Sequence, residues 1–273
     1  MKPAEFHDQI RIACGDARPC SEDYFICIDG VSYPLENLPR GKVTACFGSG
    51  ISQKVFDTLC AAIDPTFLAF KELRAHDLTA LTGFSNLRGL ELFWCPKLEN
   101  LNPLGKLANL ELLELTDCNR VTDLSPLSQL CVSSLAVEGG MWKPTKVNTL
   151  EPLARMANLK WLRLASLKCH KDGLKPLAKN QNLEALQLPL TFPTEDYAFL
   201  KAKMPNVQSN ALQPWVDATL RTTQDEQQRT SAPEVRITGF RKPTLEQGKD
   251  NERIMKYEAA FWKLVREFQS PED

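Results

Sequence analysis

Three thiols near the amino terminus, Cys14, Cys20 and Cys27, with His7 nearby, are the first residues whose types could do chemistry. A structural zinc site takes four such donors, commonly with two on a Cys-x-x-Cys spacing that lets one turn present both. Here five and six residues separate the thiols, and no Cys-x-x-Cys occurs anywhere. The same cysteines are the candidates for a thiol nucleophile, which needs a base within hydrogen-bond reach. Cys169-His170 brings both residue types together, but adjacent side chains are poorly placed to chelate one ion or to form a nucleophile–base pair. Gly48-Ser49-Gly50-Ile51-Ser52 has the small residues of a phosphate cradle. It lacks the Gly-x-x-x-x-Gly-Lys-Ser/Thr spacing, since Lys54 stands four residues beyond Gly50, and a strand-to-helix turn is the simpler reading. No catalytic residue, metal or cofactor is therefore assigned.

The elements around these residues follow from a repeat. Leu87-x-x-Leu90-x-Leu92 is followed by Leu110-x-x-Leu113-x-Leu115 and Val132-x-x-Leu135-x-Val137. Leu159-x-x-Leu162-x-Leu164 and Leu183-x-x-Leu186-x-Leu188 continue the series. A second pattern keeps phase with it: Leu101-Asn-Pro-Leu104, Leu124-Ser-Pro-Leu127, Leu150-Glu-Pro-Leu153 and Leu174-Lys-Pro-Leu177. The central leucines step by 23, 22, 27 and 24 residues. In the first pattern the last two leucines alternate with period two, so both enter one side of a short strand. In the second, three-residue spacing suits a 3₁₀ or α-helical turn, with proline near its start where a missing N–H costs little. Neither half can bury its leucines alone, but stacked copies bury them in one continuous core.

These residues resemble the leucine-rich-repeat superfamily, especially the bacterial internalin-like class, and Thr116–Leu127 is the closest stretch. The resemblance covers about residues 64–212. It implies an α/β solenoid with a parallel concave sheet, short helices on the convex side and non-repeat caps at both ends. Cys95 and Cys118 recur three residues after the last leucine of their strands, where such repeats place Asn or Cys inside the turn. Weaker copies extend the pattern to a strand anchored at Phe67, another at Val43, and a degenerate last repeat at Val207. The division read from this is an N-terminal cap with a hairpin (1–41), a solenoid of about eight strands (42–212), a polar linker or loop (213–234) and a strand-helix cap (235–273). Asp29-Gly30 predicts a type I′ turn in that hairpin, and Ser52 a helix cap. For the C-terminal helix, a cap on the last repeat and a partner-binding element remain alternatives.

Function is then sought on the concave sheet, where alternation turns one set of side chains outward. The candidates for partner contact are Glu91, Phe93, Leu112, Glu114, Thr116, Glu138, Trp161, Arg163 and Gln187, with Trp94 beside them. Glu91, Glu114 and Glu138 form an acidic column at the front, with Arg163 toward the back. Phe93, Leu112 and Trp161 are expected to stand exposed, covered by a partner or by a cap. The 27-residue step lengthens one repeat into Gly139-Gly140-Met141-Trp142, so Trp142 either rims the face or folds over its own repeat.

The balance of 33 basic and 34 acidic residues, net −1, argues against a nucleic-acid binder that relies on phosphate contacts. Polar residues at the start and the lack of a long apolar run imply neither a leader nor a membrane span. Nine scattered cysteines fit a reducing, cytoplasmic setting. The expectation is a protein-binding module in a regulatory, effector or immunity-type role, of undetermined oligomeric state. The alternatives are an enzyme with a thiol site in the N-terminal cap, and a self-assembling scaffold.

Overall fold

The structure is a computed structural model, and it describes residues 1–15, 23–218 and 233–270. The leucines do what their spacing requires. Leu90 and Leu92 turn inward from β5 (Gly89–Phe93), Leu113 and Leu115 from β6 (Leu112–Thr116), and all are buried. The series continues with β7 (Ser134–Glu138), β9 (Trp161–Ala165) and β11 (Ala185–Gln187), each pairing in parallel with its predecessor. Opposite the sheet lie 3₁₀ turns at Thr79–Gly83, Asn102–Lys106, Ser125–Gln129 and Lys175–Lys179, and the short helix α3 (Glu151–Ala154). Prolines begin four of these five turns, and Leu81, Leu104, Leu127, Leu153 and Leu177 drop from them into the core. The architecture is a leucine-rich-repeat solenoid.

Two longer strands precede the regular copies, β3 (Gly41–Ile51) and β4 (Ile63–Leu73). Between them runs α2 (Gln53–Ala62), whose first turn is closed by the Ser52 hydroxyl accepting the N–H of Val55 at 3.4 Å. Register corrects two expectations here. Leu68, not Phe67, stands opposite Leu90, so Leu68 and Phe70 enter the core while Phe67 faces the other way, and Cys46, not Val43, stands opposite Leu68. A one-residue slip moves a strand's whole apolar set to the opposite face, and the degenerate copies could be anchored on either of two adjacent apolar residues. An eighth copy survives only as a bridge from Ala185 to Gln208.

The front edge of the sheet is closed by β1 (Phe25–Ile28), which pairs antiparallel with β3 and forms a hairpin with β2 (Val31–Ser32). Asp29 and Gly30 both have positive φ, 46° and 86°, as a type I′ turn demands. Ahead of the hairpin is a helix, α1 (Pro3–Cys14). The lengthened repeat supplies β8 (Thr145–Val147), which pairs with β10 (Leu167–Cys169) in a small flanking sheet.

At the far end α4 (Thr194–Lys203) replaces the 3₁₀ turn of the last repeat. Residues 215–217, within the segment read as linker, form β12 (Trp215–Asp217), which joins β13 (Glu234–Ile237) and β14 (Thr244–Glu246) in a third sheet. Within that segment, 219–232 lies outside the described residues. The final helix α5 (Asn251–Gln269) lies against α4, sends Phe261 and Val265 into the main core, and packs Phe268 edge-on against Phe199.

Candidate functional site

Register across the ladder sorts the outward side chains into three rows. The lowest holds Ala45, Phe67, Gly89, Leu112, Ser134, Trp161 and Ala185. The middle row holds Phe47, Ala69, Glu91, Glu114, Ala136, Arg163 and Gln187, and the upper row Phe93, Thr116, Glu138 and Ala165. Every candidate read from the strand pattern therefore does share one face.

The face is not bare. Helix α1 lies across it, with Phe6 fully buried among Ala45, Phe67, Ala69 and Leu112. Gly89 makes the seat: a Cβ there would stand 2.5 Å from the Phe6 ring. Leu112, expected to be exposed, is completely buried beneath the helix, and Glu114 is 2% exposed. Phe93 and Trp161 are half-buried. The Lys2 ammonium lies 5.4 Å from the centre of the Trp161 ring, a cation–π distance. Two residues of this site, Phe6 and His7, escaped the strand-based reading. Their signal was the helical spacing of Phe6, Ile10 and Ala13, with Pro3 in the first turn.

Helix α1 also brings charge to the acidic column. His7 Nε2 is 2.9 Å from Glu114 Oε2, within hydrogen-bond distance, and a protonated imidazole there makes an ion pair with the carboxylate. Arg163 is drawn forward into the column, its Nε 2.5 Å from Glu138 Oε1 and its terminal nitrogen 3.9 Å from Glu114 Oε2. The Arg163–Glu138 contact is an ion pair. Glu114 Oε1 is buried with no partner, and Glu91 has neither hydrogen bond nor ion pair among the described residues. The Glu114 hydrogen bond raises the His7 pKa above 6.5. Burial, reinforced by Glu114, raises that of Glu91, and burial also raises that of Glu138.

Outside the helix the face has an open edge. Trp94 and Asp117 follow their strands in left-handed conformations, φ 52° and 55°, and Trp94 is 44% exposed. Met141 and Trp142 stand almost wholly in solvent, 88% and 93% exposed, so Trp142 does not fold over its own repeat. Gln187 is exposed at the far end, and Thr116 is half-buried between Phe93 and Glu138.

The chemistry-bearing residues take other places. Cys95 and Cys118 are buried inside the repeat turns, and the Cys118 thiol faces the carbonyls of Leu92 and Thr116 at 3.5 and 3.6 Å. Cys14 donates to the carbonyl of Cys27 at 3.5 Å, while burial and the Cys14 thiol push the Cys27 thiol up to about 12. A nucleophilic cysteine needs the opposite shift. Cys20 lies outside the described residues. The Cys169 thiol contacts the Lys171 carbonyl at 2.7 Å. Gly48 to Ser52 end β3 and lead into α2. A cavity of about 1010 Å³ lies away from the concave sheet, between Lys168, Lys175, Phe192, Phe199 and Phe240.

No family model matches the chain, and no curated protein matches it in sequence. Among solved structures, the internalin InlF of Listeria monocytogenes str. 4b F2365 is 19% identical over 57% of this chain and 42% of its own, with a TM-score of 0.44. The chain thus spans less than half the length of that relative. Internalin C2 of the same strain is 18% identical over 76% of this chain and 81% of its own, with a TM-score of 0.43. The solenoid assignment rests on the ladder of repeats itself, since likeness at this level is weak. Among the described residues, no helix is long and apolar enough to cross a membrane.

Proposed function

We propose that this chain is a protein-binding module whose partner engages the concave sheet and its upper rim, and that it is not an enzyme. The observation that carries this reading is the set of large side chains no core consumes: Trp142 and Trp94 at the rim, and half-buried Phe93 and Trp161 on the sheet. Aromatic residues beside charge are the usual anchors of protein interfaces. Glu91, Glu114, Thr116, Glu138, Arg163 and Gln187 supply the polar contacts, and Leu112 joins them when the face is cleared of α1.

Residues 42–212 form the scaffold in this reading, and the flanking segments close its ends. The cysteines are structural thiols suited to a reducing, cytoplasmic setting, and no cofactor takes part. The near-neutral charge fits a protein partner better than nucleic acid or a membrane surface. The partner decides whether the role is regulatory, effector or immunity-type.

The test is affinity capture from the source organism with the wild-type chain, Trp161→Glu and Trp142→Glu, using Lys106→Glu on the convex side as control. The sheet and rim variants should lose the partner, with affinity falling about tenfold or more, while the convex variant keeps it. Unchanged capture by both concave variants overturns the reading.

A further inference from the structure

The helix on the concave face is held by the Phe6 ring, by His7 on Glu114, by the Lys2 ammonium over Trp161, by the Met1 amino group on Glu111 and Ser133, and by the Cys14 thiol on the Cys27 carbonyl. Phe6 is its anchor at the centre of the sheet, with Cys14 buried against β1 at its far end, and the cluster Phe6 joins is separate from the continuous core of the solenoid. The other polar residues of α1, Glu5, Asp8, Gln9 and Arg11, face solvent. Beneath it the sheet offers a formed receptor. Gly89 leaves a socket walled by Phe67 and Leu112, and two residues further along β5 and β6 lie Glu91 and Glu114. Among the described residues, Glu114 and Glu138 pair only with Arg163 and His7, Glu91 pairs with neither, and the buried Oε1 of Glu114 has no hydrogen-bond partner. The cationic demand of the site exceeds what α1 supplies.

We infer that α1 is a displaceable intramolecular ligand, and that the partner presents an amphipathic helix of the same design, an aromatic side chain for the Gly89 socket next to a basic residue for Glu114. This rests on the concave-face reading above and names the chemistry of its partner. Helix in groove is an established mode of recognition, read through a few anchors on one helix face. A lysine or arginine in place of His7 would keep its charge at all physiological pH values and answer the acidic column more fully. The tethered α1 then sets a threshold, because a competing helix sees only the fraction of molecules whose own helix is off.

The probe is a fluorescent peptide of residues 1–15, titrated by anisotropy into the full chain as wild type, Phe6→Ala and Gly89→Leu. The Phe6→Ala chain, with its own anchor removed, should bind the peptide about tenfold or more tighter than wild type. Gly89→Leu fills the socket and should bind neither this peptide nor one carrying His7→Lys. The His7→Lys peptide should bind Phe6→Ala at least as tightly as the native one, and a Phe6→Ala peptide should not bind. Failure of the peptide to bind a folded Phe6→Ala chain, or equal binding to Gly89→Leu, overturns the inference.

Should Phe6→Ala fail to fold, hydrogen exchange on the wild-type chain decides. Amides of α1 should exchange about a hundredfold or more faster than those of β6, through local opening. Exchange of α1 only with global unfolding marks a permanent cap and overturns the inference. Peptide binding without any partner captured would remove the concave-face reading alone. Capture that depends on Trp161 but is indifferent to the peptide would remove only the helix.

Discussion

Phe6 and Gly89 complement each other: one residue has its side chain wholly buried, and the other has none to obstruct it. Truncation to Phe6→Ala removes the buried ring that seats α1, and a buried Phe→Ala change costs about 3–5 kcal/mol. The loss should appear as faster amide exchange along α1 while Leu113 and Leu115 stay protected. His7 adds a pH dependence. Its pKa is raised in the folded chain, so its contribution is fully present below about pH 6.5 and is lost as pH rises through the raised value. Glu91 and Glu138, raised by burial, act in the same direction, since ionising them in the folded chain costs stability as pH rises through their raised values. Glu114, Glu91, Glu138 and Arg163 are the charged groups around His7. Docking of α1 should therefore loosen from mildly acidic to alkaline pH, and His7→Ala should flatten the His7 part of the profile; a Trp161 fluorescence titration reads both. Trp142→Ala, at a side chain in solvent, should leave the melting curve within about 0.5 kcal/mol of wild type.

Among the elements, the repeats were legible and the pieces that break them were less so. Leu113 was assigned to the core from period alone, and Leu113→Ala should cost about 2–5 kcal/mol in urea unfolding. Ser52 was readable as a cap, and Ser52→Ala should cost about 1 kcal/mol by the same measurement. Strand β4 was readable only to within one residue, because Phe67, Leu68, Ala69 and Phe70 are all apolar and every one is buried. Half of them face the main core and half face α1, and no alternation marks which. Helix α1 itself carries three apolar residues at helical spacing in a polar stretch, a pattern that does not say what surface it meets.

The whole molecule is a stack in which each repeat touches its neighbours, so its ends limit its stability. Phe261 and Val265 of α5 extend the core past the last repeat, and Phe261→Ala should lower the melting temperature while destabilising the C-terminal repeats first. Hydrogen exchange resolved along the chain would show that order; uniform loss of protection from β3 to β11 would contradict it.

The period of the leucines determined the solenoid, the inward and outward faces and the scaffold role of Cys95 and Cys118, because burial must follow a repeat that every copy shares. What covers the outward face was settled only in three dimensions. Leu112 has the same neighbours in sequence whether exposed or buried, and it is buried because residues more than a hundred positions earlier fold back over it. The acidic column likewise looked free of Arg163 until the register of β6, β7 and β9 brought that guanidinium to Glu138. Local pattern reports the face a side chain takes; only long-range packing reports what meets it there.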